Sequence, residues 1–402
     1  MTEISSLVLP RGFRFAAGTA GLKKSGRPDF ALIVADEPAA AAAAFTGNKV
    51  SAAPLHVDKE NLHVSGGRVR VVAINAGNAN CAAGQAGLDA AHETCRAAAE
   101  LFDCKAEEVF PSSTGIIGVP LPAEKLVAAM PKLKAELGGE TENFQALAEA
   151  IMTTDTVEKT AFARIKIGDE EVRIAGVCKG AGMIHPQLVP HATMLVYILT
   201  DAKIEPAALQ QFLNGSIELS FNRISVDGDT STNDTVLLLA SGAGPRVAAG
   251  DEPFAAALKE VCISLARQVV GDGEGITHMV ELHIAGAATD AEAVRVAKTI
   301  AHSPLVKTAW AGMDPNWGRL ACAIGYSGAQ VDPERIDIRF GELPVCIDGG
   351  RDPRFDEQAA HAYISQPEFS ISIDLHQGAG QCVFWTTDLT HEYVHINADY
   401  ST

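Results

Sequence analysis

Thr193 stands between a glycine turn and an apolar run. Upstream lies Lys179-Gly180-Ala181-Gly182-Met183-Ile184, and downstream Met194 to Leu199 has the composition of a buried strand. A threonine hydroxyl is a weak nucleophile. One whose own α-amine is free carries its general base with it, and an α-amine titrates at about 7.7–8.0. Using that amine requires the chain to break between Ala192 and Thr193. The segment raises self-cleavage followed by acyl transfer through Thr193, although alone it better describes a threonine that opens a core strand, and the case rests on the residues that accompany it.

Such chemistry needs partners. Thr114-Gly115, in a turn after Pro111-Ser112-Ser113, offers a hydroxyl and a backbone N–H to an oxyanion. Lys179 suits an anionic substrate group. Glu274, within Gly271–Gly275, suits a substrate amine, and the glycines allow close approach.

Rival chemistries fare worse. His391-Glu392-Tyr393-Val394-His395 matches HExxH, which on a helix binds zinc. The neighbouring β-favouring residues predict a strand, where positions four apart are separated by about 13 Å. Only seven residues follow His395, so no metal site is expected. Asp227-Gly228-Asp229-Thr230 begins like a calcium loop, but Leu238 stands at its twelfth position, which predicts a hydrogen-bonded turn. Neither a phosphate loop nor a Gly-x-Ser-x-Gly elbow is present.

The chain around these residues has 402 positions, 47% hydrophobic, enough for a large core in one layered domain or two. A net charge of -18 argues against nucleic acid. No apolar run approaches the roughly 20 residues of a membrane span, and Met1-Thr2-Glu3-Ile4 does not open a secretory signal. Eight cysteines without a CxxC pair suggest reduced thiols and a cytoplasmic protein. Periodicity predicts strands at 30–34, 69–74, 172–177, 194–199, 236–239 and 279–284, and in the tail at 336–340, 369–375 and 383–387. Helices are expected at 88–102, 121–137, 205–221, 254–270 and 291–302. Ala39–Ala44 reads as a helix or a tight packing surface. The interleaving predicts a mixed α/β (α+β) fold, with a boundary near residue 285.

Ordered blocks along nearly the whole chain resemble the ornithine acetyltransferase, or glutamate N-acetyltransferase, family. They include Ile74–Asn80, Ser113-Thr114-Gly115-Ile116-Ile117-Gly118, Met152–Thr156, Lys179–Met183, Ala192-Thr193-Met194-Leu195, Phe221–Asp234, Gly271–Gly275, Asp314–Arg319 and Asn397–Tyr400. The resemblance implies cleavage into an α chain of residues 1–192 and a β chain of residues 193–402, assembled as a heterotetramer. It implies an αββα sandwich of the self-processing aminopeptidase type, residues 1–285, with a smaller C-terminal domain, residues 286–402. Thr193 is the implied nucleophile and Thr114 and Gly115 the implied oxyanion hole. Substrate binding is implied at Thr153, Lys179, Thr193, Glu274, Asn397 and Thr402. The implied reaction moves acetyl from N-acetylornithine to glutamate without a cofactor, and acetyl-CoA is the alternative first donor. A self-processed amidase or aminopeptidase and an unprocessed binding protein are the rival readings. The chain departs from the family pattern by three extra residues, Val189-Pro190-His191, and by His278 in place of a lysine.

Overall fold

The computed structural model describes residues 8–186 and 194–399. The chain opens with strands β1 (Phe13–Gly18) and β2 (Phe30–Phe45), helix α1 (Ala53–Val64), strand β3 (Arg68–Asn78), helix α2 (Gly84–Phe102), strand β4 (Val109–Ile116) and helices α3 (Ala123–Ala135) and α4 (Thr141–Ile151). Strands β5 (Lys159–Ile167), β6 (Glu170–Lys179) and β7 (Leu195–Thr200) follow, then helix α5 (Pro206–Glu218), strands β8 (Ile224–Ser225) and β9 (Thr235–Ala240), and helix α6 (Glu252–Gly271). Next come β10 (Met279–Ala287), α7 (Asp290–Ala301), α8 (Pro304–Ala311), α9 (Trp317–Gly325), β11 (Asp337–Phe340), β12 (Leu343–Ile347) and β13 (Gly350–Arg351). The last elements are α10 (Glu357–Ile364), β14 (Glu368–Asp374), β15 (Gly380–Thr387) and α11 (His391–Asp399).

Two mixed sheets form. The first runs β4-β3-β2-β9-β7-β6-β5 with β1 on β2, and the second β13-β12-β11-β14-β10-β15-β8. Side-chain alternation gives the first sheet two apolar faces. Ile33, Ile74, Tyr197 and Leu199 pack with Phe144, Leu147 and Ile151 of α4. On the other face Ile174, Val196, Ile198 and Leu238 meet Phe212 of α5 and Val261, Leu265 and Val269 of α6. Leu32, Val71 and Ala73 are covered by α2 and α3. The second sheet buries Leu282, Ile371 and Phe384 against Val296 and Ile300 of α7 and Trp310 of α8. Helix α6 also reaches Met279 and Trp385, tying the sheets together. The result is the layered, mixed α/β sandwich expected. The strand β10 spans residue 285 and lies between β14 and β15 in the second sheet.

Two local expectations are corrected. Ala39–Ala44 is not helical: it is the second half of β2, with Ala40–Phe45 paired to Ala240–Thr235, and its buried alanines form the tight packing surface that was the alternative. Alanine's helix propensity is a weak prior that strand pairing overrides. Beyond the end of β3 the exposed backbone edge is met by α5, where Gln210 accepts from Ala43 N at 3.1 Å and donates to Ala43 O at 3.2 Å. The His391–His395 stretch is also helical, not a strand. Thr390 caps it: its Oγ1 accepts from Tyr393 N at 3.2 Å and donates to Gly275 O. That cap outweighs the β-favouring side chains.

Candidate active site

Strand register assembles the site. Lys179 ends β6 opposite Leu195, and Leu195 starts β7 opposite Thr235 of β9. One row across three strands therefore ends at the Lys179 side chain and at Met194, the residue after Thr193. In the same sheet β3 and β4 run parallel, with Ala76 beside Thr114 and Gly77 beside Gly115. Gly115 has φ 129°, and a Cβ there would stand 2.4 Å from Gly77 C, so only glycine fits.

Thr114, Gly115, Thr153, Lys179, Glu274 and Asn397 line one pocket, together with Met194. Thr154, Gly182, Met183 and Ser231–Asp234 share the lining. Ala192, Thr193 and Thr402 lie outside the described residues, as do the extra Val189-Pro190-His191.

Each charged member is held. Asp155 is buried and accepts from Thr153 N at 2.9 Å, Gly180 N at 2.6 Å and Lys159 Nζ at 2.8 Å. The Lys179 ammonium is 4.0 Å from its other side. Burial opposes ionisation of Asp155, but Lys179 and Lys159 overcome it and hold the carboxyl well below the usual range. Lys159 also reaches Asp272, which accepts from Thr156 N at 3.0 Å. Asp155 thus anchors Lys179, whose side chain lines the pocket, while Asp272 shares Lys159 with Asp155.

Glu274 is 8% exposed, its amide donates to Ala181 O at 3.1 Å, and its Oε2 accepts from Asn397 Nδ2 at 2.8 Å. Asp227 makes the hydrogen-bonded turn expected of it. Its oxygens accept from Met183 N at 2.6 Å, Ile184 N at 2.9 Å and Asp229 N at 3.1 Å, a stapled turn. It fixes Met183 at φ 57°, an uncommon conformation for a side chain that lines the pocket. Thr114-Gly115 is not in the turn expected after Ser113 but within β4, because β3 pairs with it as far as Gly115. Behind it Asn233 Nδ2 donates to Ala79 O at 2.6 Å and Ser113 O at 2.8 Å.

The Asp155–Lys159–Asp272 network was not read from the sequence, although Asp and Lys four apart were visible there. His278 is turned away to Asp388, 2.9 Å from its Nδ1. His391 and His395 lie on the solvent side of α11, and His395 Nδ1 is 3.1 Å from Asp399. Among the described residues, no three His, Cys, Asp or Glu side chains are grouped so as to hold a metal ion. No described helix is long and apolar enough to cross a membrane.

A layered α/β scaffold with a threonine-glycine pair at a strand end, a buried cation and a buried carboxylate around one pocket defines an enzyme for small charged substrates. A model of the ArgJ family matches residues 14–402. The arginine biosynthesis bifunctional protein ArgJ of Chlorobaculum tepidum is 45% identical over 394 residues, 97% of this chain and 96% of its own. Its namesake from Geobacter sulfurreducens is 45% identical over 398 residues, 98% and 99% of the two chains. A crystal structure of the Bacillus halodurans protein of that name, 45% identical, covers 50% of this chain and 96% of its own at a TM-score of 0.48. The chain belongs to the ArgJ family and is an acetyltransferase of arginine biosynthesis.

Proposed function

We propose that the chain moves acetyl from N2-acetyl-L-ornithine to L-glutamate through an acetyl ester on Thr193. The α-amine of Thr193, freed by cleavage after Ala192, accepts the Oγ proton as Oγ attacks the acetamide carbon. Thr114 Oγ1 and the Gly115 N–H donate to the oxyanion, each worth about 3–4 kcal/mol in the transition state. The amine of ornithine leaves with the proton carried by Thr193. Glutamate's amine then attacks the ester and restores the hydroxyl. Lys179 holds the α-carboxylate of either substrate and Glu274 the terminal ammonium of ornithine. Thr153, Asn397 and Thr402 close the pocket.

The observation that carries this reading is the meeting of Lys179, Glu274 and the Thr114-Gly115 pair of β4 in one pocket beside Met194. The reaction needs no cofactor or metal, and acetyl-CoA differs from N-acetylornithine only as first donor. Residues 1–192 and 193–402 are the two mature chains, paired as a heterotetramer in the cytoplasm. The test is ornithine release from N-acetylornithine with and without glutamate. Release that depends on glutamate, with N-acetylglutamate formed in equal amount, is expected. Release at the same rate without glutamate assigns an amidase and overturns the proposal.

A further inference from the structure

Helix α7 carries Arg295, Lys298 and Thr299 along one stripe, which its C-cap His302 continues at spacings of three and four. They line a second pocket together with His185, Ala291 and Val294. No carboxylate lines it. This is unusual in a chain that carries 50 acidic residues against 32 lysines and arginines.

Among the described residues neither cation of this stripe is tied to a carboxylate by a salt bridge, although Glu218 acts on Lys298 at longer range, and Arg295 is exposed. Arg295 donates to the Gly328 carbonyl at 2.8 Å. Lys298 is half-buried, and burial lowers its pKa, partly opposed by Glu218. His302 stacks on His185, with ring centroids 4.1 Å apart, and its Nε2 is 3.1 Å from Ser225 Oγ. Burial, then Lys307 and Lys298, pull its pKa down to about 4. Burial is the larger cause, and the two lysines add to it.

The position adds interest. Met183 lines the catalytic pocket and His185, two residues on, lines this one. The two pockets flank the same short segment, which Asp227 staples through Met183 N and Ile184 N.

We propose that the pocket between α7 and His185 is a binding site for a phosphate dianion, free or on a small phosphomonoester. Arg295 and Lys298 supply the charge; the Thr299 hydroxyl, which donates to Arg295 O at 2.9 Å, lies beside them in the lining. A dianion facing two unpaired cations in a partly desolvated pocket is favoured over a monoanion.

Calorimetric titration of the purified enzyme with inorganic phosphate, at constant ionic strength, tests this. Saturable binding is expected, with one site for each 402-residue sequence. Acetate should bind at least tenfold more weakly. The double variant Arg295→Gln, Lys298→Gln should lose at least tenfold in phosphate affinity while acetyl transfer stays unchanged, since neither residue touches the catalytic pocket. Lys298→Arg, which keeps the charge, should retain binding. Glycerol phosphate competing at similar affinity extends the site to phosphomonoesters, and failure to compete confines it to free phosphate; both support the dianion site. Absence of saturable heat, equal binding of acetate, or equal phosphate affinity in the double variant overturns the proposal. None of these outcomes bears on the acetyl-transfer reading, which the glutamate dependence of ornithine release decides separately.

Discussion

Gly182 lies so close to Glu274 that a Cβ built on it stands 2.4 Å from the carboxylate carbon. From the other side Asn397 donates to the same carboxylate at 2.8 Å. The glycine turn and the last helix therefore grip one anion between them. Gly182→Ala should push Glu274 out of this grip. Overpacking of this kind costs about 1–3 kcal/mol, so the protein still folds. The expected result is a KM for N-acetylornithine raised at least tenfold, with the KM for glutamate changed far less. Steady-state kinetics on both substrates checks it, and equal increases would remove the Glu274–ammonium contact from the mechanism.

Thr193→Ala should block two events at once, because one hydroxyl serves cleavage and turnover. Intact mass of the purified variant should give a single full-length chain, against two pieces that part at Ala192–Thr193 in the wild type. Acetyl transfer should be lost with it. A cleaved variant would mean that another residue attacks the backbone.

Much of this site could be read from residue types. Lys179, Glu274 and Thr114-Gly115 were found because glycines punctuate strand ends, and loops at strand ends are where sites are built. What could not be read was decided by distant partners. The alanines of β2 are strand because β9 pairs with them, and nothing within the alanine run states that. The helix at His391 depends on Thr390 meeting the Gly275 carbonyl, 115 positions away in sequence. Asp155 and Asp272 are 117 residues apart and meet only because Lys159 lies between them. Propensity is local, whereas burial of charge is a property of the folded whole.

That buried network makes its own prediction. Asp155→Asn leaves Lys159 buried with only Asp272 as its counter-ion. Breaking one partner of a buried pair costs about 3–5 kcal/mol. The pH dependence follows in sign. The folded carboxyl titrates below its unfolded value of about 3.9, so its stabilisation is present above that pH and is lost as pH falls towards the lowered folded value. Urea denaturation between pH 3 and 7 should show the wild type losing stability as pH falls below about 4, and the variant less stable throughout and with that part of the acid loss removed. Equal acid loss in both proteins would show that Asp155 is not depressed.

Asp58 on α1 predicts the opposite slope. It is 0% exposed, and among the described residues neither carboxyl oxygen has a hydrogen-bond partner. Burial raises its pKa well above the ordinary value, with Lys59 only a lesser opposing influence. The folded state therefore keeps a proton that the unfolded chain releases above about pH 3.9. Stability is lost as pH rises through that window, by up to about 1.4 kcal/mol per pH unit while the folded carboxyl stays neutral. Asp58→Asn matches the neutral acid in shape and cannot titrate. Its urea midpoints between pH 4.5 and 7 should fall less steeply than those of the wild type, and the difference between the two should widen with pH in the variant's favour. Parallel curves would mean that Asp58 is ionised in the fold and has found a counter-charge on the way.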